Sequence, residues 1–247
     1  MIDIKIGGAV QKEEARLAGP PLAMNEYVLL PLSRSSGFRT QVAVAALDWR
    51  QGKLAWFQDI LHVDEPGSSR HALGYRATLT SAGNAVVVHF HAGAVAALDP
   101  ANGQLCWARR FPILAGAQDR PDRAPACFVQ GRSLYFSPPD SQRIFCLDLF
   151  TGALVWNREP CDQSRLFALS QNRLVLATTR GLRGLDAATG LDVPGWQQPA
   201  LGRLTTKGQG LAAGDWVLWP TTDPTFPVRA LSLQTGSMEL ATPGGNR

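Results

Sequence analysis

The sequence predicts an all-β protein assembled from a repeated four-stranded antiparallel unit, and three observations support this prediction. A phrase of the form small–Leu–Asp–x–x–x–Gly–x–hydrophobic–x–Trp recurs at intervals of about 40 to 50 residues, a period typical of repeat arrays. Short β-branched and aromatic runs bounded by Gly, Asn, Asp and Ser precede each copy. Outside Gln11–Leu17, no window of the chain shows sustained helical periodicity.

The composition fits one large folded domain over 1–247. Of the 247 residues, 45% are hydrophobic and 18% are charged, which excludes an intrinsically disordered chain. The net charge of +4 comes from scattered lysines and arginines, so we expect no nucleic-acid partner. No apolar run is long enough to predict a transmembrane segment. The N-terminus lacks a secretory signal pattern, which leaves open a cytoplasmic protein or a segment whose export signal lies elsewhere in a longer parent chain.

The repeated phrase is complete in three copies and weaker in two. The complete copies contain Asp48, Gly52 and Trp56, then Asp99, Gly103 and Trp107, and then Asp148, Gly152 and Trp156. The fourth copy keeps Asp186 and Gly190 but moves its tryptophan to Trp196, behind a Pro-Gly insertion. The fifth copy has Ser232 and Leu240 in place of the aspartate and the tryptophan.

Each residue type in the phrase has a structural explanation. The aspartate ends the third strand of a unit, where its carboxylate can accept backbone N–H groups of the following turn, and the glycine supplies a positive φ. The leucine and tryptophan are two positions apart on the fourth strand, so we expect them to point to the same face. The tryptophan then covers the seam to the neighbouring unit, and the small residue before Leu-Asp leaves room for it. We therefore assign the aspartates to structure and not to catalysis.

Four strand signals per repeat predict an antiparallel meander. In the second repeat they are Arg76–Thr80, Ala85–Phe90, Ala94–Leu98 and the strand that carries Trp107. Four-stranded meanders at this period are the blades of a β-propeller. We expect five blades, at approximately 20–60, 74–111, 124–160, 164–198 and 204–241. The sequence leaves open a closed five-bladed ring, an arc of a larger ring, or a ring that a partner chain completes.

The phrase Ala-Leu-Asp-x-x-x-Gly-x-Leu-x-Trp resembles the tryptophan-docking motif of the pyrroloquinoline-quinone-like (PQQ-like) β-propeller repeats, over roughly residues 20–240. That family includes quinoprotein alcohol dehydrogenases, the outer-membrane assembly lipoprotein BamB and planctomycete-type repeat proteins. WD40 repeats have a similar period, but their Trp-Asp strand end and upstream Gly-His are absent. The resemblance implies a β-propeller that binds protein partners in the periplasm or cell envelope, although the sequence itself leaves the compartment open.

The resemblance also raises the question whether this chain has the residues that bind a quinone cofactor. Quinoprotein dehydrogenases use adjacent cysteines that form a disulfide, a tryptophan, and a Glu–Asn–Asp set around calcium. The cysteines here are Cys106, Cys127, Cys146 and Cys161, none adjacent, and no residues match the calcium ligands. His89 and His91 have a spacing that suits a metal, but no third ligand lies near them in sequence. We therefore expect no catalytic, cofactor-binding or metal-binding residues and no bound cofactor.

The long connections between repeats are the candidate interaction sites, because exposed loops on a rigid frame carry most binding residues. The candidates are His62, Asp64, Glu65, Arg70 and His71 in the first long connection, Asp119, Arg120, Asp122 and Arg123 in the second, and Asp140 in the loop Ser137–Gln142. We expect a non-catalytic scaffold that binds protein or cell-envelope partners through its loop face. The alternatives are a segment of a PQQ-dependent dehydrogenase and a ligand-sensing propeller domain of a larger signalling or TPR protein.

Overall fold

Every regular element in the described part of the chain is a β-strand. The computed structural model describes residues 15–36, 39–64, 76–90, 93–112, 127–138, 141, 143–159, 165–178, 181–199, 211–220 and 228–240. The expected helical periodicity of Gln11–Leu17 produces no helix at Arg16 and Leu17, which form a short strand, while 11–14 lie outside the described residues. No helix in the described ranges is long and apolar enough to cross a membrane.

The first sheet has five strands and the longest ladders. Its strands are β1 (Arg16–Leu17), β2 (Leu22–Met24), β3 (Tyr27–Ser36), β4 (Arg39–Asp48) and β5 (Lys53–Asp64). Both β1 and β2 pair with β3, which is followed by β4 and then β5. All of these pairs are antiparallel.

The four sheets that follow share one simple topology. Each is a four-stranded antiparallel meander in chain order, because Gly- and Asn-containing turns reverse the chain between short apolar strands. The strands are β6 (Ala77–Ala82), β7 (Ala85–Phe90), β8 (Ala94–Leu98), β9 (Leu105–Arg110), β10 (Cys127–Gln130), β11 (Ser133–Phe136), β12 (Ile144–Asp148), β13 (Leu154–Arg158), β14 (Arg165–Ser170), β15 (Arg173–Thr178), β16 (Gly181–Asp186), β17 (Asp192–Pro199), β18 (Leu211–Ala213), β19 (Trp216–Pro220), β20 (Val228–Ser232) and β21 (Met238–Leu240).

The expectation that the repeated leucine and tryptophan share a face is wrong. In the first sheet Leu54 pairs with Leu47, whereas Trp56 pairs with Ala46, and a register shift separates the two pairs. Leu47 and Ala46 are consecutive on β4, so their partners point to opposite faces. The residue between leucine and tryptophan is a β-bulge, and the same shift recurs between β8 and β9 and between β12 and β13. The leucine is consequently exposed, by 39% at Leu54 and 43% at Leu154.

The chain divides into two compact units, and each has its own apolar core. One unit comprises 1–124 with 149–152, and the other comprises 125–148 with 153–247. In the first unit, one buried cluster joins side chains of the first two sheets, such as Leu29 and Val44 with Val88 and Phe90. In the second unit, separate clusters join the third sheet to the fourth and the fourth to the fifth. Neighbouring sheets therefore pack face to face within each unit.

Candidate functional site

The repeated phrase forms the same turn each time it occurs in the described residues. Asp48 ends β4, and its Oδ1 accepts the backbone N–H groups of Arg50 and Gln51 at 2.8 and 2.9 Å. The N–H of Gly52 then donates to the carbonyl of Asp48 at 2.8 Å. Such a carboxylate replaces the turn's missing backbone partners, which is why Asp favours this position.

The later copies vary the side chain and keep the turn. Asp99 accepts from the N–H of Ala101, and Asp186 accepts from both the N–H and the hydroxyl of Thr189, each at 2.8 Å. In the fifth copy Ser232 replaces the aspartate, and its hydroxyl oxygen accepts the N–H of Thr235 at 3.3 Å. A hydroxyl is therefore sufficient for the turn, although its contact is longer.

A tryptophan from one sheet docks on the turn of the sheet that follows in the chain. Trp56 Nε1 donates to the carbonyl of Pro100 at 3.0 Å, and Trp156 Nε1 donates to Ala187 at 3.1 Å. Trp107 does the same to Leu149 at 2.7 Å, and the turn 149–152 belongs to the same compact unit as Trp107. In every case the acceptor is the residue directly after the phrase's Asp or Ser, so the turn presents one fixed carbonyl to an incoming indole.

The glycine of each docked turn is needed for space as well as for its backbone conformation. A Cβ built on Gly152 would lie 2.6 Å from the Trp107 ring, and one on Gly190 would lie 2.8 Å from Trp156. Both glycines also have positive φ, of 67° and 70°. The indole ring lies flat on the bare backbone, and any side chain at the glycine would displace it.

The small residue before Leu-Asp lies opposite the tryptophan on the neighbouring strand. Ala46 pairs with Trp56, Ala97 with Trp107, and Cys146 with Trp156. These three small residues are nearly or fully buried. Burial raises the pKa of the Cys146 thiol to about 11, so this cysteine is a packing residue with little thiolate at neutral pH.

The fourth repeat keeps its docked tryptophan by means of a larger bulge. On β17, residues 193–196 lie opposite the single residue Gly184, because the register moves from Leu185–Asp192 to Arg183–Gln197. Gly195 has a φ of 73° within this bulge. Trp196 is only 2% exposed, and its Nε1 donates to the carbonyl of Leu233 at 3.0 Å. A Cβ on Gly184 would lie 2.5 Å from its ring, which explains why this repeat has glycine in the small position.

An ion-pair cluster that joins the third and fourth sheets was not anticipated from the sequence. Asp192 occupies the position of the repeated leucine, two residues after the glycine, and its carboxylate accepts from Arg158 and from Arg183. Arg158 also donates to the carbonyl of Gly190 at 2.9 Å. Burial opposes ionisation of Asp192, but the hydrogen bonds from the two arginines outweigh it and lower its pKa. The sequence feature that could have indicated this cluster is Asp192 itself, an aspartate at the position where the complete copies of the phrase have leucine.

The interaction candidates of the first connection lie at the end of the longest ladder. His62 is exposed on β5 opposite Gln41, and the backbone of Asp64 pairs with Arg39. The remaining candidates lie outside the described residues, namely Glu65, Arg70, His71, Asp119, Arg120, Asp122, Arg123 and Asp140. The described structure therefore brings none of the loop candidates together into one cluster, and their grouping stays a prediction.

Among the residues that the structure describes, no set of side chains matches the ligands of a quinone and calcium site. The carboxylates Asp48, Asp99 and Asp186 are used as hydrogen-bond acceptors within their own turns. Cys106, Cys127 and Cys146 lie on three separate strands, so none of them is adjacent to another cysteine in the sequence. Within the described part of the chain, no group of three or more His, Cys, Asp or Glu side chains is arranged to hold a metal. We derive no chemical step through a quinone.

Together, the antiparallel meanders and the tryptophans docked on successive turns define a β-propeller of the PQQ-like class. A model of the family described as outer membrane protein assembly factor BamB matches residues 11–190. The chain belongs to this BamB family of PQQ-like repeat proteins. No curated protein sequence matches the chain.

Solved structures show the same fold at low sequence identity. BamB from Moraxella catarrhalis aligns with a TM-score of 0.61 and 21% identity, over 90% of this chain and 63% of that chain. The chain thus spans less than two thirds of that BamB. Quinohemoprotein alcohol dehydrogenases from Pseudomonas putida HK5 and Comamonas testosteroni align with TM-scores of 0.55 and 0.56 and identities of 15% and 14%. They cover 93% and 94% of this chain, which spans 44% of each enzyme.

Proposed function

We propose that the chain is a non-catalytic scaffold that binds protein partners through the loop face of its propeller. One observation carries this proposal: the aspartates and tryptophans of the repeated phrase hold the turns and the neighbouring sheets together. The aspartates hold turns, and the fourth-strand tryptophans are docked by ring and by N–H. We therefore assign recognition to the connections, where binding residues of rigid folds concentrate.

Membership of the BamB family supports a role in assembly at the cell envelope. The matching family is described as an outer membrane protein assembly factor, and a BamB structure shares the fold of this chain. By this analogy the protein acts in the periplasm or at the envelope, as part of or in contact with a protein assembly. Because the analogy rests on fold and family, identifying the partner requires an experiment.

The alternative from a different class is a segment of a PQQ-dependent dehydrogenase. The similarity of this chain to the quinohemoprotein alcohol dehydrogenases supports this alternative only at the level of fold. It requires ligands for quinone and calcium, and the described residues do not provide a matching set. A ligand-sensing propeller in a larger signalling or TPR protein is the other alternative, and a small molecule that binds the loop face would favour it.

A cross-linking experiment with charge-reversed loops tests the scaffold proposal. The affinity-tagged protein is expressed in its native host, cross-linked in the envelope fraction and purified with its partners. The variant Arg120→Glu with Arg123→Glu changes the charge of the second candidate loop, and we expect it to lose the cross-linked partner while keeping its unfolding temperature. This separation is expected because loop charges contribute to recognition and not to the core.

The matched control reverses two arginines on a strand. Arg109 and Arg110 are exposed on β9, so Arg109→Glu with Arg110→Glu produces the same change in net charge on a strand that holds none of the candidate residues. We expect the control to retain the partner. Equal loss in both variants, or a wild-type protein that cross-links to no defined partner, would refute the scaffold proposal.

A further inference from the structure

We propose that Asn102 is a deamidation site whose reaction is held back by the docking of Trp56 on the turn that contains it. Asn102 and Gly103 form the one Asn-Gly pair of this sequence. Asparagine is a chemically labile residue, and a following glycine favours the reaction because no side chain obstructs its backbone nitrogen. This inference goes beyond the scaffold function and does not depend on it.

The reaction joins the side chain of Asn102 to the backbone of the next residue. The backbone nitrogen of Gly103 loses its proton to hydroxide and attacks Cγ of Asn102. A C–N bond forms, and the side-chain amide nitrogen takes up a proton and leaves as ammonia. Water then opens the resulting succinimide at either carbonyl. The products are aspartate or isoaspartate at position 102, and in isoaspartate the main chain is longer by a methylene group.

The turn prepares the side chain of Asn102 for this attack. Asn102 is exposed, and its Oδ1 accepts the backbone N–H of Gln104 at 2.8 Å. Negative charge develops on Oδ1 when a nitrogen adds to Cγ, and a donor that already points at this oxygen stabilises that charge. The carbon that is attacked is therefore accessible and polarised in the folded protein.

The docked tryptophan keeps the attacking nitrogen unreactive. The N–H of Gly103 donates to the carbonyl of Asp99 at 2.8 Å, and Gly103 is buried. The Trp56 ring lies so close to this glycine that a Cβ built on it would be 2.4 Å from the ring, and Trp56 Nε1 donates to the carbonyl of Pro100 at 3.0 Å. Hydroxide reaches the Gly103 proton only when the indole leaves and the turn opens. Docking therefore controls the rate of deamidation.

Two later turns keep the same hydrogen bond without a side-chain amide. The residue before the turn glycine is Thr189 in the fourth repeat and Thr235 in the fifth. Their hydroxyl oxygens accept the N–H two residues later, at 3.3 Å from Leu191 and 3.1 Å from Ser237. Threonine thus performs the structural role of Asn102, so Asn102→Thr preserves the turn and removes the reaction.

Formation of isoaspartate prevents Trp56 from docking again in the same way. The additional methylene group lies between Cα of residue 102 and the nitrogen of Gly103, so it moves that N–H away from the carbonyl of Asp99. The glycine surface that supports the ring moves with it. An opening of the contact between the first two sheets, once followed by reaction, is therefore recorded permanently in the chain.

Peptide mass spectrometry measures the reaction. The intact protein is incubated at mildly alkaline pH, the mass change at residue 102 is followed, and isoaspartate is separated from aspartate by chromatography. We expect the amide of Asn102 to persist in native wild type and to be lost about tenfold faster or more in Trp56→Ala, because the open turn is more populated. In urea both proteins should react at the same rate, since neither keeps the docked turn.

Trp156→Ala is the matched control. Trp156 is half-buried, like Trp56, and its Nε1 donates to the carbonyl of Ala187 at 3.1 Å, but its turn contains no asparagine. We expect Asn102 to react as slowly in this variant as in wild type. Equal acceleration by both tryptophan variants would assign the effect to global unfolding and overturn the proposal. A wild type that reacts in native buffer as fast as in urea would overturn it as well.

A measurement on wild type alone covers the case in which Trp56→Ala does not fold. Hydrogen exchange of the Gly103 amide and deamidation of Asn102 are followed together at low urea concentrations. The two rates are expected to rise in parallel, because both require the same opening. A deamidation rate that does not follow the exchange of Gly103 contradicts the proposal.

The effect of isoaspartate on docking is measured after refolding. Wild type is kept in urea until Asn102 has reacted and is then refolded, beside Asn102→Thr treated in the same way. We expect the reacted wild type to unfold at a lower urea concentration than Asn102→Thr. Equal midpoints in the presence of accumulated isoaspartate would refute the permanent loss of docking.

Discussion

At the scale of single residues, the turn glycines separate into two kinds. Gly83 and Gly214 have positive φ with no described atom near the Cβ position, so only their backbone conformation favours glycine. Gly190 has positive φ and also supports the Trp156 ring. The sequence predicted the first requirement from the turn pattern. It did not predict the second, because the docked ring comes from a neighbouring sheet.

Replacement of Gly190 is expected to cost more stability than replacement of Gly214. Gly214→Ala introduces a left-handed alanine, which costs about 1 kcal/mol. Gly190→Ala adds a displaced indole, for a total of about 2–4 kcal/mol. Urea unfolding of the two variants measures the difference. Equal losses would show that Trp156 does not need the bare backbone.

Buried and exposed thiols are expected to react differently. Burial raises the pKa of Cys146 to about 11, whereas Cys106 is exposed and its pKa is raised less, by desolvation and by Asp99. Iodoacetamide at mildly alkaline pH should label Cys106 in the native protein and Cys146 only after unfolding, since access and thiolate content both limit the reaction. Mass spectrometry of labelled peptides provides the measurement. Rapid native labelling of Cys146 would contradict its packing against Trp156.

At the scale of elements, the sequence pattern was sufficient to predict the strands but not the register in which neighbouring strands pair. The apolar runs and the Gly and Asn turns predicted meanders, and the four-stranded antiparallel sheets confirm that fold class. The bulge between Leu54 and Trp56 could not be read from alternation, because a bulge changes which side chains share a face without changing the sequence pattern. The larger bulge at 193–196 allows Trp196 to dock despite its insertion.

The Asp192 cluster, which joins the third and fourth sheets, is expected to make a pH-dependent contribution to stability. Hydrogen bonds from Arg158 and Arg183 lower the pKa of Asp192 although burial opposes this. The folded state therefore holds the proton less tightly than the unfolded state, and the stabilisation is complete above about pH 5 and lost as the pH falls through the lowered pKa. Asp192→Asn should cost about 1 kcal/mol at neutral pH, and the difference from wild type should shrink as the pH falls through the lowered pKa of Asp192.

Glu159→Gln is the control for this measurement. Glu159 pairs with Arg143 but its side chain is largely exposed, so its loss should change stability by less than about 0.5 kcal/mol. Urea unfolding at several pH values compares the two variants with wild type. A deficit in Asp192→Asn that persists unchanged in acid would assign the effect to packing.

At the scale of the whole molecule, the frame was predictable and the recognition surface was not. The repeated phrase identifies the residues that hold the turns and seams, because packing within a repeat depends on local sequence. A partner surface depends on which loops converge and on the partner itself. Several candidates, including Arg70 and Arg120, lie outside the described residues.

The central proposal is that this PQQ-like propeller is a binding scaffold and not a quinoprotein, and a cofactor titration tests it most directly. PQQ is added to the intact protein with calcium, and the quinone absorbance and alcohol-dependent reduction of a dye are followed together. The account predicts an unchanged quinone spectrum and no dye reduction, because the repeat's carboxylates are engaged in turns. Saturable, calcium-dependent binding with alcohol-dependent dye reduction would contradict it.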